Sequence, residues 1–276
     1  MTHALALLSP AKLNLFLHVT GRRSDGYHTL QTVFQLLDWG DRMEFTPDRG
    51  GQVQLHMPGA AVAAGDNLIL RAARLLQRGK LGARITCHKH IPIGGGLGGG
   101  SSNAATTLLA LNHLWELGLA QAELQALGAE LGADVPVFVA GHSAWAEGVG
   151  DQLQRIALPE AWYLVLKPAC SVPTGEIFSS HELTRDTSPI TIAAFFQGVY
   201  RNDCEPVVVA RYPEVGDALQ WLRGFAAARL TGTGACVFAA FGSRQEAVAV
   251  QKQVPARWMS FTARGIDVSP VLTALA

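Results

Sequence analysis

Neither sign of charge is in excess in this sequence, and charged residues are few. Lys plus Arg and Asp plus Glu both number 22 in 276 residues, so the formal net charge is zero. A chain without net charge has no overall field that would gather nucleic acid or an anionic membrane surface. We therefore expect no nucleic-acid partner, and any anionic ligand must be held by local groups.

Cysteine is also scarce, and its spacing excludes two common uses. The four cysteines, Cys87, Cys170, Cys204 and Cys236, are far apart, with no C-x-x-C pair and no histidine cluster at metal-ligand spacing. The sequence therefore predicts neither a disulfide framework nor a zinc site. We expect all four to pack as small apolar residues in a reducing compartment.

Long hydrophobic runs are absent as well. No segment reaches the roughly 20 apolar residues that a membrane-spanning helix needs, and the short run from Ala4 to Leu8 has no basic stretch or cleavage signal beside it. We predict a cytoplasmic protein without a membrane partner. With 49% hydrophobic residues, the chain can bury the core of one large domain or two modest ones.

Glycine, by contrast, is concentrated at one place. Six glycines occupy the seven positions from Gly94 to Gly100, and Ser101 to Asn103 follow directly. Before them, residues 83–91 alternate as a strand and Pro92 ends it, while residues 104–115 have helical spacing. Polyphosphate oxygens can approach backbone N–H groups closely where side chains are missing, and a following helix start adds partial positive charge. The segment is therefore predicted to cradle a polyphosphate.

Two better-known glycine motifs fit this segment only in part. The P-loop pattern G-x-x-x-x-G-K-S/T has Gly100 where its lysine belongs, so the cation for a terminal phosphate must come from elsewhere. The dinucleotide pattern G-x-G-x-x-G is met, but the nearest following acid, Glu116, falls within the predicted helix rather than after a second strand. A flexible linker is the remaining alternative, although linkers seldom join a strand to an amphipathic helix.

The rest of the chain alternates between strands and helices, which predicts a mixed α/β fold. Predicted strands cover residues 13–19, 29–37, 42–46, 83–91, 162–166, 236–241 and 259–263. Predicted helices cover residues 67–78, 104–117, 121–131, 192–200, 213–225 and 244–253. The pattern loosens around residues 148–151, so we predict one domain over residues 1–155 and a second over residues 156–276.

Two charged residues stand out as candidates for chemistry. Lys12 begins a strand and shares one face with Asn14, while leucines occupy the other face. It could supply the cation that the glycine segment lacks, or it could be a solvated surface lysine. Asp134 lies between a helix end and an apolar run, which suits a general base, although it could simply cap the next element.

Two turns are further candidates. Asp25 to His28 presents a tyrosine for stacking on a base and a histidine for bonding its edge, unless the turn is only structural. Thr231 to Ala235 is a second small-residue loop, whose N–H groups could form a phosphate nest or merely a tight turn.

Together these segments resemble the GHMP kinase superfamily along nearly the whole chain. The resemblance rests on five motifs: S-P-A-K-L-N-L-F-L from Ser9 to Leu17, D-G-Y-H from Asp25 to His28, P-x-G-G-G-L-G-G-G-S-S-N-A-A from Pro92 to Ala105, L-G-A-D-V-P-V-F from Leu131 to Phe138, and R-L-T-G-T-G-A from Arg229 to Ala235. The D-G-Y-H turn is associated with members whose substrate carries cytidine.

The resemblance implies a two-domain α/β (α+β) kinase. Its N-terminal half would be like domain 2 of ribosomal protein S5, with a left-handed crossover, and its C-terminal half would be ferredoxin-like. The active site would lie between them. The implied reaction is ATP-dependent phosphorylation of the 2-hydroxyl of a cytidine diphosphate-linked methylerythritol in the non-mevalonate isoprenoid pathway, with Mg²⁺ as cofactor. A homodimer is a possible assembly.

The resemblance also implies roles for individual residues. Lys12 and Asp134 would be catalytic, and Asn14, Tyr27, His28 and Thr174 would bind the substrate. The ATP phosphates would lie on Pro92, Ile93, Gly94, Gly95, Gly96, Leu97, Gly98, Gly99, Gly100, Ser101 and Ser102. Either Ser101 or Ser102 could be a Mg²⁺ ligand, and the sequence does not choose between them.

Three other functions compete with this one. They are a related kinase whose substrate lacks cytidine, a nucleotide-binding regulatory module without turnover, and a dehydrogenase. The regulatory module becomes the better interpretation if Lys12 and Asp134 lie far from the glycine segment.

Overall fold

The computed structural model describes residues 4–59, 67–198 and 200–276, and these ranges contain ten strands and ten helices. The strands are β1 (Leu5–Arg22), β2 (His28–Asp48), β3 (Val53–His56), β4 (Gly82–His88), β5 (Ala144–Glu147), β6 (Gln152–Arg155), β7 (Trp162–Lys167), β8 (Ala228–Leu230), β9 (Val237–Phe241) and β10 (Met259–Ile266). The helices are α1 (Leu68–Leu76), α2 (Gly99–Leu114), α3 (Gln121–Leu131), α4 (Val135–Ala140), α5 (Thr174–Ser179), α6 (Ile192–Phe196), α7 (Glu205–Arg211), α8 (Pro213–Arg223), α9 (Arg244–Gln251) and α10 (Pro270–Leu275).

The long strand β2 organises the first half of the chain. β1 pairs with it antiparallel along almost its whole length. Along its other edge, β5 pairs with residues 32–34, β10 with residues 36–37 and β4 with residues 42–48. Along this edge, β2 therefore pairs with β5, β10 and β4 one after another, so that these three strands lie close together.

The second half forms an antiparallel sheet in the order β10, β7, β9, β8. The end of β10 continues past this sheet, where Gly265 and Ile266 pair with Leu37 and Leu36 of β2. The two halves of the chain are thus joined through one sheet. The domain boundary at residue 155 stays a prediction.

The sequence predicts two strands at residues 29–37 and 42–46, but the structure has the single strand β2 there. The intervening Trp39 and Gly40 resemble a turn in sequence. Instead, β1 crosses at this point with a bulge between Pro10 and Lys12, and a Cβ on Gly40 would lie 2.0 Å from the carbonyl oxygen of Ser9. Glycine serves close strand approach here rather than a turn.

Apart from α3, each predicted helix differs from the observed one at one or both ends, and the largest differences are at α2 and α6. α2 begins at Gly99, inside the glycine segment, and the apolar segment 135–140 is the helix α4. The predicted helix 192–200 is shorter, because α6 ends at Phe196, and residue 199 lies outside the described residues. Seven short elements have too few residues to give a period: β3, β5, β6, β8, α5, α7 and α10.

Apolar side chains pack in three clusters. The first lies between the helices of the N-terminal half and β2 and β4, and the second packs α7 and α8 on β7 and β9. The third joins the halves, because Phe16 and Val33 from β1 and β2 meet Val165 and Phe238 from β7 and β9. This third cluster therefore packs the two halves against each other.

Three of the cysteines, Cys87, Cys204 and Cys236, are buried as predicted, whereas Cys170 is partly exposed. All four lie within the described ranges and none forms a disulfide. Burial raises the pKa of the Cys204 and Cys236 thiols to about 12, so both stay protonated.

Within the described residues, no helix is long and apolar enough to cross a membrane.

Candidate active site

A cavity of about 530 Å³ lies between the two halves and is lined by residues from both. It brings together most of the residues that the sequence singles out. The lining residues that were predicted to be functional are Lys12, Asn14, Pro92, Ile93, the segment from Gly94 to Gly100, Ser101, Asp134 and Thr174. The structure thus places the predicted polyphosphate cradle and the predicted catalytic pair at one site.

The glycine segment is held from both sides by backbone hydrogen bonds. The N–H of Lys12 donates to the carbonyl of Leu97 (3.1 Å), and the N–H groups of Ala235 and Cys236 donate to the carbonyls of Gly94 and Gly95 (3.2 Å each). These bonds fix the segment through its carbonyl groups. The first N–H groups of α2, which have no partner within the helix, are left for a ligand.

Two glycines of the segment have no room for a side chain. Gly96 has φ of 74°, and a Cβ there would lie 2.2 Å from the carbonyl oxygen of Thr231. Gly98 has φ of 71°, and its Cβ would lie 2.8 Å from the ring of Phe138 and 3.1 Å from Cε of Lys12. The glycines therefore serve the close packing of the cradle on its neighbours as well as ligand access.

The loop Thr231 to Ala235, a candidate phosphate nest, mainly supports the cradle. Thr231 accepts the Asn14 N–H at Oγ1 (3.0 Å) and donates from the same hydroxyl to the Gly96 carbonyl (3.3 Å). Together with the Ala235 N–H, this ties the loop to the glycine segment. Gly232 and Thr233 remain on the cavity wall.

Lys12 and Asp134 form an ion pair at the edge of the cradle. The Nζ of Lys12 lies 3.2 Å from Oδ2 of Asp134, with side-chain exposures of 4% and 34%. Lys12 also donates to Oδ1 of Asn14, and Asn14 in turn donates to Oγ1 of Thr32 (3.0 Å). The nearly buried ammonium group is therefore held by two oxygens, while the carboxylate stays open to the cavity.

The alternative role for Asp134, as a cap, is only partly met. Asp134 occupies the N-cap position of α4, but its side chain makes no capping hydrogen bond. The carboxylate contacts Lys12 instead. The backbone of Asp134 therefore occupies the cap position while its side chain does not cap the helix. The carboxylate is thus available for chemistry.

The two serines after the glycines have different surroundings. Ser102 is fully buried, and its Oγ lies 2.8 Å from Oγ of Ser9. Ser101 lies on the cavity wall. Of the two hydroxyls left open by the sequence, that of Ser101 is the one at the cavity.

A second cation at the cavity was missed from the sequence. Lys89 donates to Oδ1 of Asn103 (2.8 Å) and forms an ion pair with Asp41. Asp41 is fully buried and also accepts the N–H groups of His90 (2.6 Å) and Ile91 (2.8 Å). The only sequence signal was the need for a cation near a glycine segment without its own lysine, and Lys89 lies five positions before Gly94.

The predicted substrate residues are divided between the cavity and its border. Thr174 begins α5 on the cavity wall and hydrogen-bonds Thr233 (3.0 Å between the hydroxyl oxygens). Tyr27 and His28 do not line the cavity; Tyr27 is 66% exposed. His28 is buried and stacks on Phe178, which does line the cavity, with ring centroids 5.2 Å apart.

The neighbours of the His28 ring favour its neutral form. Its Nε2 accepts a hydrogen bond from Nε of Arg185 (3.0 Å). Burial, and then the positive charges of Arg185 and Arg22, lower the pKa of His28 from its ordinary value. Arg185 was not singled out in the sequence, because nothing local marks it as a neighbour of residue 28.

Comparison with known proteins identifies the family of this chain. Residues 67–142 match the model of the GHMP kinases N terminal domain, and residues 186–259 match that of the GHMP kinases C terminal domain. The fold is also that of mevalonate kinase from Methanococcus jannaschii, with a TM-score of 0.67 at 15% identity over 97% of this chain and 99% of that one. The chain is a GHMP kinase, and the predicted two-domain kinase fold is confirmed.

More similar relatives narrow the family. The 4-diphosphocytidyl-2-C-methyl-D-erythritol kinase of Azoarcus sp. (strain BH72) is 55% identical over 95% of this chain and 94% of its own. That of Pseudomonas aeruginosa (strain UCBPP-PA14) is 54% identical over 98% and 96%. A crystal structure of 4-(cytidine 5'-diphospho)-2C-methyl-D-erythritol kinase has a TM-score of 0.81 at 33% identity, covering 95% of this chain and 100% of that one. The chain belongs to the 4-diphosphocytidyl-2-C-methyl-D-erythritol kinase family.

Proposed function

We propose that this chain transfers the γ-phosphoryl group of ATP to the 2-hydroxyl of 4-diphosphocytidyl-2-C-methyl-D-erythritol, as a step of the non-mevalonate isoprenoid precursor pathway. The observation that carries the proposal is the 3.2 Å ion pair of Lys12 and Asp134 at the edge of the glycine cradle. A phosphoryl transfer requires such a pair beside the bound polyphosphate, for which the glycine cradle is the predicted site. A regulatory module without turnover would not need such a pair there.

The triphosphate of ATP is proposed to lie along the backbone from Gly94 to Gly100 and against the start of α2. Sixteen residues of helix stand behind this end, and their aligned peptide dipoles favour bound anions. The ammonium group of Lys89 lies on the same wall and can offset further nucleotide charge. Backbone N–H groups and two lysines thus replace the single lysine of a P-loop.

Mg²⁺ prefers oxygen ligands and keeps several of its waters, so it needs only one or two protein oxygens. The cavity offers the Ser101 hydroxyl, which fits this requirement. We propose that this hydroxyl would hold the ion directly or through water. When bound, the ion supplies positive charge to the phosphate oxygens.

Asp134 is proposed to accept the proton of the 2-hydroxyl as that oxygen attacks the γ-phosphorus. The bond from the γ-phosphorus to the bridging β-γ oxygen breaks, and ADP leaves with the electron pair. Lys12 orients the carboxylate and offsets the negative charge on the transferring group. Phosphoryl transfer depends mainly on such positioning and charge stabilisation.

The cytidine end is proposed to lie toward Phe178, with Tyr27 stacking on the base and His28 bonding its edge. Asn14 and Thr174 would line the path from the base to the reacting hydroxyl. Phe178 supports this assignment, because it lines the cavity and also stacks on His28. A cytoplasmic location and a homodimer stay predictions from the sequence.

The direct test is to incubate the purified chain with ATP, Mg²⁺ and 4-diphosphocytidyl-2-C-methyl-D-erythritol and to follow ADP release and ³¹P NMR. We expect one new phosphomonoester signal, coupled to the methylerythritol moiety at its 2-position. Mevalonate, homoserine and galactose serve as alternative alcohols, and an Asp134→Asn preparation controls for contaminating kinases. Turnover of one of the alternative alcohols without turnover of the cytidine substrate would contradict the proposal.

A further inference from the structure

Arg185 lies between α5 and α6 and bonds four groups around the cytidine end of the proposed site. Its Nε donates to Nε2 of His28 (3.0 Å), and its terminal nitrogens donate to the carbonyls of Phe178 (2.9 Å), Ser180 (2.5 Å) and Leu183 (3.1 Å). One side chain therefore fixes both His28 and the residue on which its ring stacks.

The bond to His28 determines which of its ring nitrogens carries the proton. A guanidinium group has only donors, so Nε2 of His28 must be the acceptor. A neutral imidazole that accepts at Nε2 carries its hydrogen on Nδ1, whereas a doubly protonated ring would set two N–H groups against each other. Burial and the nearby positive charges lower the pKa of His28, which also favours the neutral ring.

The Nδ1–H group of His28 remains available to a ligand. In the part of the chain that the structure describes, Nδ1 has no hydrogen-bond partner, and it is not sealed from solvent. The ring also lies against Phe178, on the wall of the cavity. A base held at this wall would meet His28 as a donor.

We propose that Arg185 is a specificity-determining positioning residue that makes His28 an obligate donor at Nδ1 and thereby selects cytosine against uracil. Ring N3 of cytosine is an acceptor and pairs with this donor. Ring N3 of uracil carries a hydrogen, so two donors would face each other in a partly buried site, which costs binding. This inference rests on the proposed function, because it assumes that the pyrimidine binds beside His28.

The first experiment compares kcat/KM for the cytidine and uridine diphosphate-linked methylerythritols. We expect the wild-type chain to prefer the cytidine substrate and Arg185→Met to reduce that preference by roughly tenfold, mainly through KM of the cytidine substrate, which is the size expected for one lost buried pairing. Equal kcat/KM of the wild-type chain for the two substrates would overturn the inference while leaving the kinase assignment intact.

Arg211→Met is the matched control. Arg211 donates to the hydroxyl of Ser180 (2.7 Å) and pairs with Glu182 (3.4 Å), so it supports the same segment without touching His28. We expect its substrate preference to equal that of the wild-type chain. If both arginine variants reduce the preference equally, the effect comes from a loosened segment and the inference fails.

The second experiment needs neither substrate nor a folded Arg185 variant. Long-range ¹H–¹⁵N correlation spectra of the wild-type chain at pH 8 report the tautomer of each histidine, and the His28 signals are assigned by their loss in His28→Gln. We expect a protonated Nδ1 and an unprotonated Nε2. The opposite tautomer, or a charged ring, would overturn the inference whatever the substrate proves to be.

Discussion

At the scale of single residues, the reactive pair combines a buried cation with an accessible anion. Lys12 is 4% exposed and Asp134 34% exposed. The stem of Lys12 packs beside Gly98, and its Nζ lies 5.3 Å from the centroid of the Phe34 ring. This packing fixes the ammonium group, whereas the carboxylate can still reach a bound hydroxyl.

Lys12→Met and Asp134→Asn should each lower kcat by at least ~10²-fold, the usual cost of removing one preorganised charged group from such a site. Both variants should fold, because Met replaces the buried stem and Asp134 remains partly hydrated. Steady-state kinetics and circular dichroism check the two parts. Lys80→Met and Asp217→Asn change the same residue types at exposed positions and should keep normal turnover. Near-normal turnover of Asp134→Asn would refute its role as base.

His18 gives a separate prediction about stability. Its Nε2 accepts the N–H of Arg201 (3.3 Å), and its Nδ1 is the one buried side-chain nitrogen or oxygen without a partner in residues 4–59, 67–198 and 200–276. Burial lowers the pKa of His18 below the ordinary value of 6.5, against an opposing effect of Asp203. Below pH 6.5, the unfolded chain therefore binds a proton that the folded chain resists.

Stability due to His18 should thus be present above pH 6.5 and decrease as the pH falls toward the lowered pKa. Urea unfolding between pH 5 and 8 measures this slope. In His18→Asn, whose side-chain oxygen can still accept the Arg201 N–H, the slope should be smaller. Parallel pH curves for the two chains would show that His18 does not titrate in this way.

At the scale of elements, the cradle is a glycine segment placed between a strand end, a helix start and the loop from Thr231 to Ala235. The sequence correctly placed this segment between a strand and a helix, but it did not predict where α2 begins, and the phosphate site stays a prediction. The reason is that glycines weaken the helical signal, whereas the structure starts α2 at Gly99, with Gly98 in the left-handed region as its N-cap. Contacts from outside the segment decide its conformation.

Gly96→Ala should therefore destabilise the chain by at least ~2 kcal/mol, since it adds left-handed strain to a clash with the Thr231 carbonyl. Gly100→Ala is the matched control within the same segment. Among the described residues its Cβ would meet only Leu68, at 3.6 Å, and alanine favours helix. Denaturant unfolding of both variants decides: equal losses of stability would mean that the packing of Gly96 is not limiting.

At the scale of the whole molecule, the cavity and the third apolar cluster both span the two halves. Phe16 and Phe238, from opposite halves, are almost fully buried in that cluster. The end of β10 also pairs with β2. Nucleotide binding at the cavity should consequently stabilise both halves of the chain against unfolding.

A nonhydrolysable ATP analogue with Mg²⁺ should raise the melting temperature of the chain in one cooperative transition. At a ligand concentration 100 times Kd, the stabilisation expected from mass action is about 2.7 kcal/mol. Differential scanning calorimetry measures it, with AMP as the control that lacks a triphosphate. Two transitions, of which only one moves with the analogue, would show that the halves unfold independently.

Sequence alone determined the features that depend on local pattern. The glycine segment, the long helices α3 and α8 and the candidate status of Lys12 and Asp134 all follow from neighbouring residues or from motifs that resemble a known superfamily. Local pattern does not predict every element, because short strands and helices carry no measurable period. In addition, Gly40 is a residue type that is common in turns. The unbroken course of β2 was therefore missed.

Tertiary structure decided what depends on residues from distant parts of the chain. Only folding brings Asp134 within 3.2 Å of Lys12. It also pairs Lys89 with the buried Asp41 and places Arg185 in hydrogen-bond contact with His28. The physical reason is that ion pairs and hydrogen bonds act over a few ångströms, whereas sequence spacing says little about distance once the chain crosses from one half to the other. The residue types were readable from the sequence, but their partners were set by packing.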